Sequence, residues 1–376
     1  MRLILTALAA SIALAACGGN ADAPAADGAK PDGAAKRQVN VYNWSDYIAP
    51  DTIERFTKET GIEVVYDVYA DNETLDAKLV AGQSGYDVIF PSAPFAQQHI
   101  ANGLYATLDR TQLANIGNLD PSLAEGVAVA DPEGTHLVPY MWGTTAIGYN
   151  VAKVREILGP DTPLDSWALV FDPAISGKLA ACGIAILDDQ QEGFSAALLF
   201  HGRDPNGMGS GEIELVQQTF AAVRPNIRYF NSSRYIDDLA NGEICVAMGY
   251  NGDVLQARAR AEEAGTGVEI GYLIPKEGAI RWFDAMAIPA DAPNKAEAHA
   301  FIDFLLRPDV IAPISEFVNY ASANAAAKPL VAEALRNDPA VYPPEDVIAK
   351  LHDARKLPLE ENDARQRAWT TIKSGK

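Results

Sequence analysis

Ile62-Glu63-Val64-Val65-Tyr66-Asp67-Val68-Tyr69 and, further on, Tyr86-Asp87-Val88-Ile89-Phe90 are the two runs that decide the fold. Both are rich in β-branched and aromatic residues, the composition that suits a pleated strand. Between them lies a helical stretch with Leu75, Leu79 and Val80 on one side and Gly82 near its end. Before them, Val39–Tyr42 reads as a strand, and Pro50-Asp51 starts a helix that Gly61 stops. Strand–helix–strand–helix at this spacing predicts a parallel sheet with crossover helices.

Outward from that unit, an aromatic-rich extended run covers about 137–149. A second α/β set follows, with strands near 182–187, 227–231, 243–249 and 268–274. Another extended run spans 281–289, then a helix covers about 294–306. The economical architecture is two α/β lobes joined by extended crossings, with no repeat, heptad pattern or second apolar span. In open α/β sheets ligands bind beyond the carboxyl ends of the strands. That places Asn43-Trp44-Ser45-Asp46-Tyr47 and Ser92 at a candidate site.

The 376 residues are 48% hydrophobic and 21% charged, as in an ordinary globular chain of two or so domains. Thirty Lys and Arg against 50 Asp and Glu give a formal charge of −20. That balance argues against nucleic acid or an anionic membrane surface as partner, and it permits a cationic ligand. At the start, Arg2 precedes an apolar run from Leu3 to Ala16 that is too short to span a membrane. Residues 1–16 read as a secretory signal. Leu14-Ala15-Ala16-Cys17 resembles a lipobox, in which Cys17 is acylated and becomes the first residue. Residues 17–38, rich in Ala, Asp, Pro and Gly, read as a flexible tether. Only Cys182 and Cys245 remain for the body. In an exported protein they are either one disulfide or two separate buried thiols.

Signatures of catalysis are thin. There is no Gly-x-Ser-x-Gly elbow, and Gly207-Met208-Gly209-Ser210-Gly211 lacks the Lys of a phosphate loop and reads as a flexible turn. The five histidines stand singly without ligand spacing, so neither a metal nor a cofactor is expected. What recurs is an aromatic beside an acid at a strand end: Trp44 to Tyr47, Tyr250-Asn251-Gly252-Asp253 and Trp282-Phe283-Asp284. Asp188-Asp189-Gln190-Gln191-Glu192 adds acids after the strand Ile184–Leu187. Each alone is an unremarkable solvated turn. Together they suit a slender dication, which needs carboxylates for its charged ends and ring faces along its methylenes.

With those residues assembled, the chain from about Val39 to Lys376 resembles the periplasmic polyamine-binding proteins of ABC importers, nearest the putrescine-binding type. Six segments in order carry the likeness: Tyr42–Ile48, Pro139–Trp142, Gly148–Asn150, Arg224–Phe230, Ile274–Gly278 and Ile372–Lys376. The resemblance implies an α/β, two-lobed periplasmic-binding-protein fold with a ligand cleft between lobes and extended hinge crossings. Residues 39–143 plus 280–324 form lobe 1, and 147–278 plus 325–376 form lobe 2. It further implies a monomeric, non-enzymatic, lipid-anchored periplasmic receptor that passes a polyamine to a membrane permease and its ATPase. Trp44, Ser45, Asp46 and Tyr47 match the first-strand binding segment, Ser92 the third-strand serine and Glu192 the acid of the second lobe. Asp253 and Asp284 match the acids that engage ammonium groups, and Trp282 and Tyr320 match cleft aromatics. Cys182 and Cys245 match positions that pair as a disulfide. Three departures bear on selectivity. Tyr250 stands where Trp is usual, Trp282 follows the spermidine-binding pattern, and Asp189 with Glu192 makes a second acid available to a longer amine or to solvent. The alternative on the same fold is a sensor or receptor for another small amine or amino acid.

Overall fold

The computed structural model describes residues 37–375. The expected signal at 1–16, acylation at Cys17 and the tether as far as residue 36 lie outside the described residues. Arg37 and Gln38, placed by the sequence in the tether, belong to the ordered body. Gln38 opens a strand, and Arg37 pairs with Glu297 at 2.8 Å.

Strands β1 (Gln38–Trp44), β2 (Glu63–Tyr69) and β3 (Val88–Ile89) make a parallel sheet in the order β2-β1-β3. The helices Thr52–Thr60 and Asn72–Val80 connect them. Gly61 ends the first of these at φ 70°, a left-handed turn that glycine adopts without strain. Two expectations change here. Only Val88 and Ile89 of the third run join the ladder: at one end the Asp87 carboxylate takes the Asn40 backbone N–H, and at the other the Phe90 carbonyl takes side-chain donors of Trp44 and Tyr69. Val80 is 63% exposed and leaves the face of Leu75 and Leu79, one residue being a 100° turn of helix.

The remaining strands are β4 (Val138–Asn150), β5 (Ile184–Ile186), β6 (Ile227–Phe230), β7 (Val246–Tyr250), β8 (Ile270–Leu273), β9 (Ala279–Met286), β10 (Ala321–Ser322) and β11 (Leu351–Asp353). Most form one mixed sheet, β11-β9-β4-β7-β5-β6, with β8 and β10 also paired to β4. The long β4 is the spine: all of it but Tyr149 is buried. Its first half meets β10, its second half meets β7 and β8, and β9 runs antiparallel beside it from Val138↔Met286 to Thr145↔Ile280. These are the two extended crossings expected from the aromatic-rich runs. Each end of the spine carries its own core. Val39, Phe56, Leu75, Phe90 and Phe301 centre the first, and Trp167, Phe171, Phe194, Phe220 and Trp369 the second. The tail divides between them: Ala327, Val331, Leu335 and Val341 pack into the first core, Ala368 and Ile372 into the second.

Cys182 and Cys245 are bonded, with Cα atoms 5.6 Å apart and a sequence separation of 63. Closing a loop of that length restricts the unfolded chain, so replacing both with Ser is expected to cost about 4 kcal/mol. Urea unfolding of Cys182→Ser/Cys245→Ser, against the parent with and without reductant, measures it. Among the described residues no helix is long and apolar enough to cross a membrane, and no cluster is arranged to hold a metal ion.

Candidate functional site

Every side chain nominated for binding by the sequence lines one cleft. It opens where the carboxyl ends of β1 and β7 face β9. At the end of β1 the Trp44 indole N–H donates to the Phe90 carbonyl at 2.8 Å. The Tyr69 hydroxyl donates to the same oxygen at 2.6 Å, with its ring 4.7 Å from that of Trp44. The chain then turns through Asp46 at φ 54°, a left-handed conformation that Asp adopts more readily than most non-glycine residues, and buries Tyr47. Asp46 lines the cleft, yet its carboxylate faces the Arg260 guanidinium at 3.4 Å, so a cation is already beside it.

Asp284, on β9, is 6% exposed. Tyr47 donates to one of its oxygens at 2.9 Å and Ser92 to the other at 2.7 Å. Ser92 is held against β9 by a bridge to Asp284 and by Asn72, whose amide donates to the Ser92 hydroxyl at 3.3 Å. Asp253, in the first turn of the helix Asn251–Glu263, is held in the same way. Tyr235 donates to it at 2.8 Å and Tyr320 at 2.6 Å. Burial pushes both carboxyls up to about 6, and the hydroxyl donors hold them from going higher. The phenols of Tyr47, Tyr235, Tyr250 and Tyr320 are pushed well above their ordinary value by burial and stay neutral, and Tyr47, Tyr235 and Tyr320 donate to the two acids.

Asp189 and Glu192 come from the far wall. Asp189 caps the helix Gln190–Phe200, accepting the Glu192 backbone N–H at 3.0 Å, and burial raises its carboxyl. Glu192, in the first turn, is raised well above the usual range by burial and by the charge of Asp189. Its Oε2 atom is buried with no hydrogen-bond partner, as is the Trp282 indole nitrogen. Trp282 stands edge-on to Tyr250 at 5.8 Å and to Tyr320 at 5.2 Å, and Tyr320 meets Tyr47 at 5.5 Å. Together these rings form an angular aromatic tube. Among the described residues lining the cleft none is Lys, Arg or His. Four crowded acids therefore share an aromatic tube without a cation of the protein's own.

Sequence reasoning missed Tyr69, Asn72, Phe95 and Tyr235. The first three line the cleft, and Tyr235 stands behind it. Phe95 follows Ser92 in the turn that opens the helix Ala93–Ala101, a position the strand-end rule would have flagged had it been carried three residues further. Tyr235 left no local signal.

Residues 51–343 match the family described as bacterial extracellular solute-binding protein. The chain is 52% identical over 338 residues to the putrescine-binding periplasmic protein SpuD of Pseudomonas aeruginosa strain UCBPP-PA14, covering 90% of this chain and 92% of that protein. It is 50% identical over 344 residues to the putrescine-binding periplasmic protein PotF of Escherichia coli strain K12, covering 91% and 93%. A solved putative spermidine/putrescine ABC transporter from Listeria monocytogenes superposes with a TM-score of 0.81 at 28% identity, over 90% of this chain and all of that one. The two cores, their paired crossings and the cleft between them are thus the two-lobed architecture of substrate-binding proteins. By its matched span and by its identity to full-length relatives, the chain belongs to the bacterial extracellular solute-binding proteins.

Proposed function

We propose that this protein captures a polyamine, putrescine or spermidine, in the cleft and delivers it to the permease and ATPase of an ABC importer. One observation carries the reading: Asp189, Glu192, Asp253 and Asp284 converge on an aromatic tube whose described lining holds no basic side chain. A diammonium chain answers both halves of that environment. Its ends neutralise acids that burial would otherwise leave costly, and its methylenes lie against rings. Asp253 and Asp284 receive ammonium groups, Trp44, Tyr47, Tyr250, Trp282 and Tyr320 enclose the methylenes, and Ser45 and Ser92 complete the polar wall. Asp189 and Glu192 form a pair that suits an additional ammonium. The relatives whose names specify putrescine, at 50% identity and above, support the ligand class.

The lobes divide near 143–147 and 278–280, with closure around the ligand as the transport signal. Export by residues 1–16 and acylation of Cys17 leave the monomer tethered at a membrane and working in the periplasm. It acts by binding alone, without catalysis. Calorimetric titration with putrescine, cadaverine, spermidine and spermine tests the assignment. Strong heat with at least one of the four is expected, and equal, weak heats across all four overturn it.

A pH effect follows. The unliganded Asp253 and Asp284 carboxyls, pushed up to about 6 by burial, hold their protons more tightly in the folded chain than in the unfolded one. Their contribution to stability is therefore present at low pH and lost as pH rises through about 6. A bound dication removes that loss. The thermal shift produced by putrescine is expected to grow from pH 5 to pH 7.5; a constant shift counts against these two acids as the ammonium sites.

A further inference from the structure

We propose that Tyr235, buried behind the cleft wall and absent from its lining, is a positioning residue of the amine site that acts through Asp253. The inference rests on the polyamine reading and adds to it a residue that never touches the ligand. Tyr235 is fully buried, and its hydroxyl donates to Asp253 Oδ2 at 2.8 Å while accepting the Tyr250 backbone N–H at 3.1 Å. Tyr320 mirrors it, donating to Asp253 Oδ1 at 2.6 Å and accepting the Asp253 backbone N–H at 3.2 Å. Each phenol oxygen thus has a backbone N–H on one lone pair, which commits its single hydrogen to the carboxylate. Each carboxylate oxygen keeps a second lone pair for an incoming ammonium.

The sequence makes room for this arrangement. A Cβ on Gly249 would stand 2.6 Å from the Tyr235 ring, and one on Gly252 would stand 2.5 Å from the Tyr320 ring. The run Gly249-Tyr250-Asn251-Gly252-Asp253 is therefore a cradle for two phenols that converge on one acid. The rings cannot swing away, and so the direction of Asp253 is fixed before the ligand arrives. Preorganisation of that kind spares the bound state the ordering of the acceptor.

The other groups facing Asp253 do not supply this function. Asp46, from the turn after β1, opposes its charge, while Arg260 on its own helix favours it and is itself shared with Asp46 and Asp237. Tyr47 and Tyr250 stay neutral, and Asp284 and Glu192 are acids of the same cleft. Removing the Tyr235 hydroxyl leaves burial less opposed, so Asp253 holds its proton to higher pH and must release it before an ammonium can bind. A purely structural role would instead weaken binding by one factor at every pH.

The test is calorimetric titration of the mature protein with putrescine and with spermidine between about pH 5.5 and 8.5, in two buffers of different ionisation enthalpy. Tyr235→Phe is expected to lose roughly tenfold or more in affinity near pH 6 and to recover most of it by pH 8, releasing more protons on binding than the parent. Site-specific 3-fluorotyrosine at position 235 keeps the shape of the ring and donates more strongly. It is expected to move the affinity profile toward lower pH, and it serves where the Phe variant folds poorly. Profiles parallel to wild type for both variants would overturn the role of Tyr235 while leaving the polyamine reading intact. Absence of wild-type heat with either amine would overturn both.

Discussion

Asp284→Ala is expected to weaken putrescine or spermidine binding by about 2–5 kcal/mol, or roughly 30-fold to several thousand-fold in Kd. Asp284 is 6% exposed and offers a charged acceptor already aligned by Tyr47 and Ser92. Truncating it would leave the ammonium group at that end with the hydroxyls alone and without its nearest counter-charge. The same change should act in the opposite sense on the unliganded protein. At pH 7 an acid whose buried carboxyl sits near 6 is mostly ionised and unpaired by any cation, so removing it relieves a folding cost. Asp284→Asn separates the two effects, since it keeps the shape and an acceptor for Tyr47 or Ser92. The expected pair of results is weaker calorimetric binding together with an unliganded melting temperature at pH 7 that is unchanged or higher. Wild-type affinity in Asp284→Ala would remove this acid from the ligand site.

The periodicity of the chain made the architecture legible because each strand and helix carries its own signal. The runs at 62–69 and 281–289 became β2 and most of β9, and the aromatic run at 137–149 became the spine β4. Where the third strand fell short of its run, a side chain had competed with the ladder. Asp87, fully buried, satisfies the backbone of Asn40 and the amide of Asn294, and shortens β3.

The site was legible for a different reason. A strand end delivers whatever follows it to the cleft, so acids and rings at strand ends were found without knowing their partners. That rule could not tell Asp188 from Asp189. Asp188 turns away to Lys373 and the Trp369 indole, whereas Asp189 caps the next helix and lines the cleft. The fate of neighbouring acids depends on a helix that begins at Leu359, far along the chain. Tyr235 was invisible for the same cause, since its contact with Asp253 exists only once β7 and the helix Asn251–Glu263 have packed over it. Likewise, nothing in the local sequence signalled that Asp46 would meet Arg260.

That dependence on the C-terminal helix leads to the largest stability effect expected. Trp369 is 1% exposed, and its indole meets the rings of Phe220 at 5.4 Å and Phe230 at 5.3 Å, both edge to face. The helix Gln190–Phe200 rests directly on it, for a Cβ at Gly193 would lie 2.4 Å from the ring. Trp369→Ala removes the largest side chain of the second core beside Trp167, and a cavity of that kind costs about 3–5 kcal/mol. It also removes the indole N–H at 3.0 Å from Asp188, leaving Lys373 alone to hold that acid. Because Asp188 precedes the cap Asp189, whose helix carries Glu192, the loss should reach the cleft as a smaller fall in polyamine affinity. Trp369→Phe separates packing from the hydrogen bond, keeping much of the ring contact and losing the donor to a carboxylate at a cost of about 2 kcal/mol. Urea midpoints and calorimetric titration of both variants measure the two effects. A large loss of stability in Trp369→Ala with affinity unchanged would mean that the Asp189–Glu192 turn is held by its own cap, and that the C-terminal helix supports the lobe without setting the site.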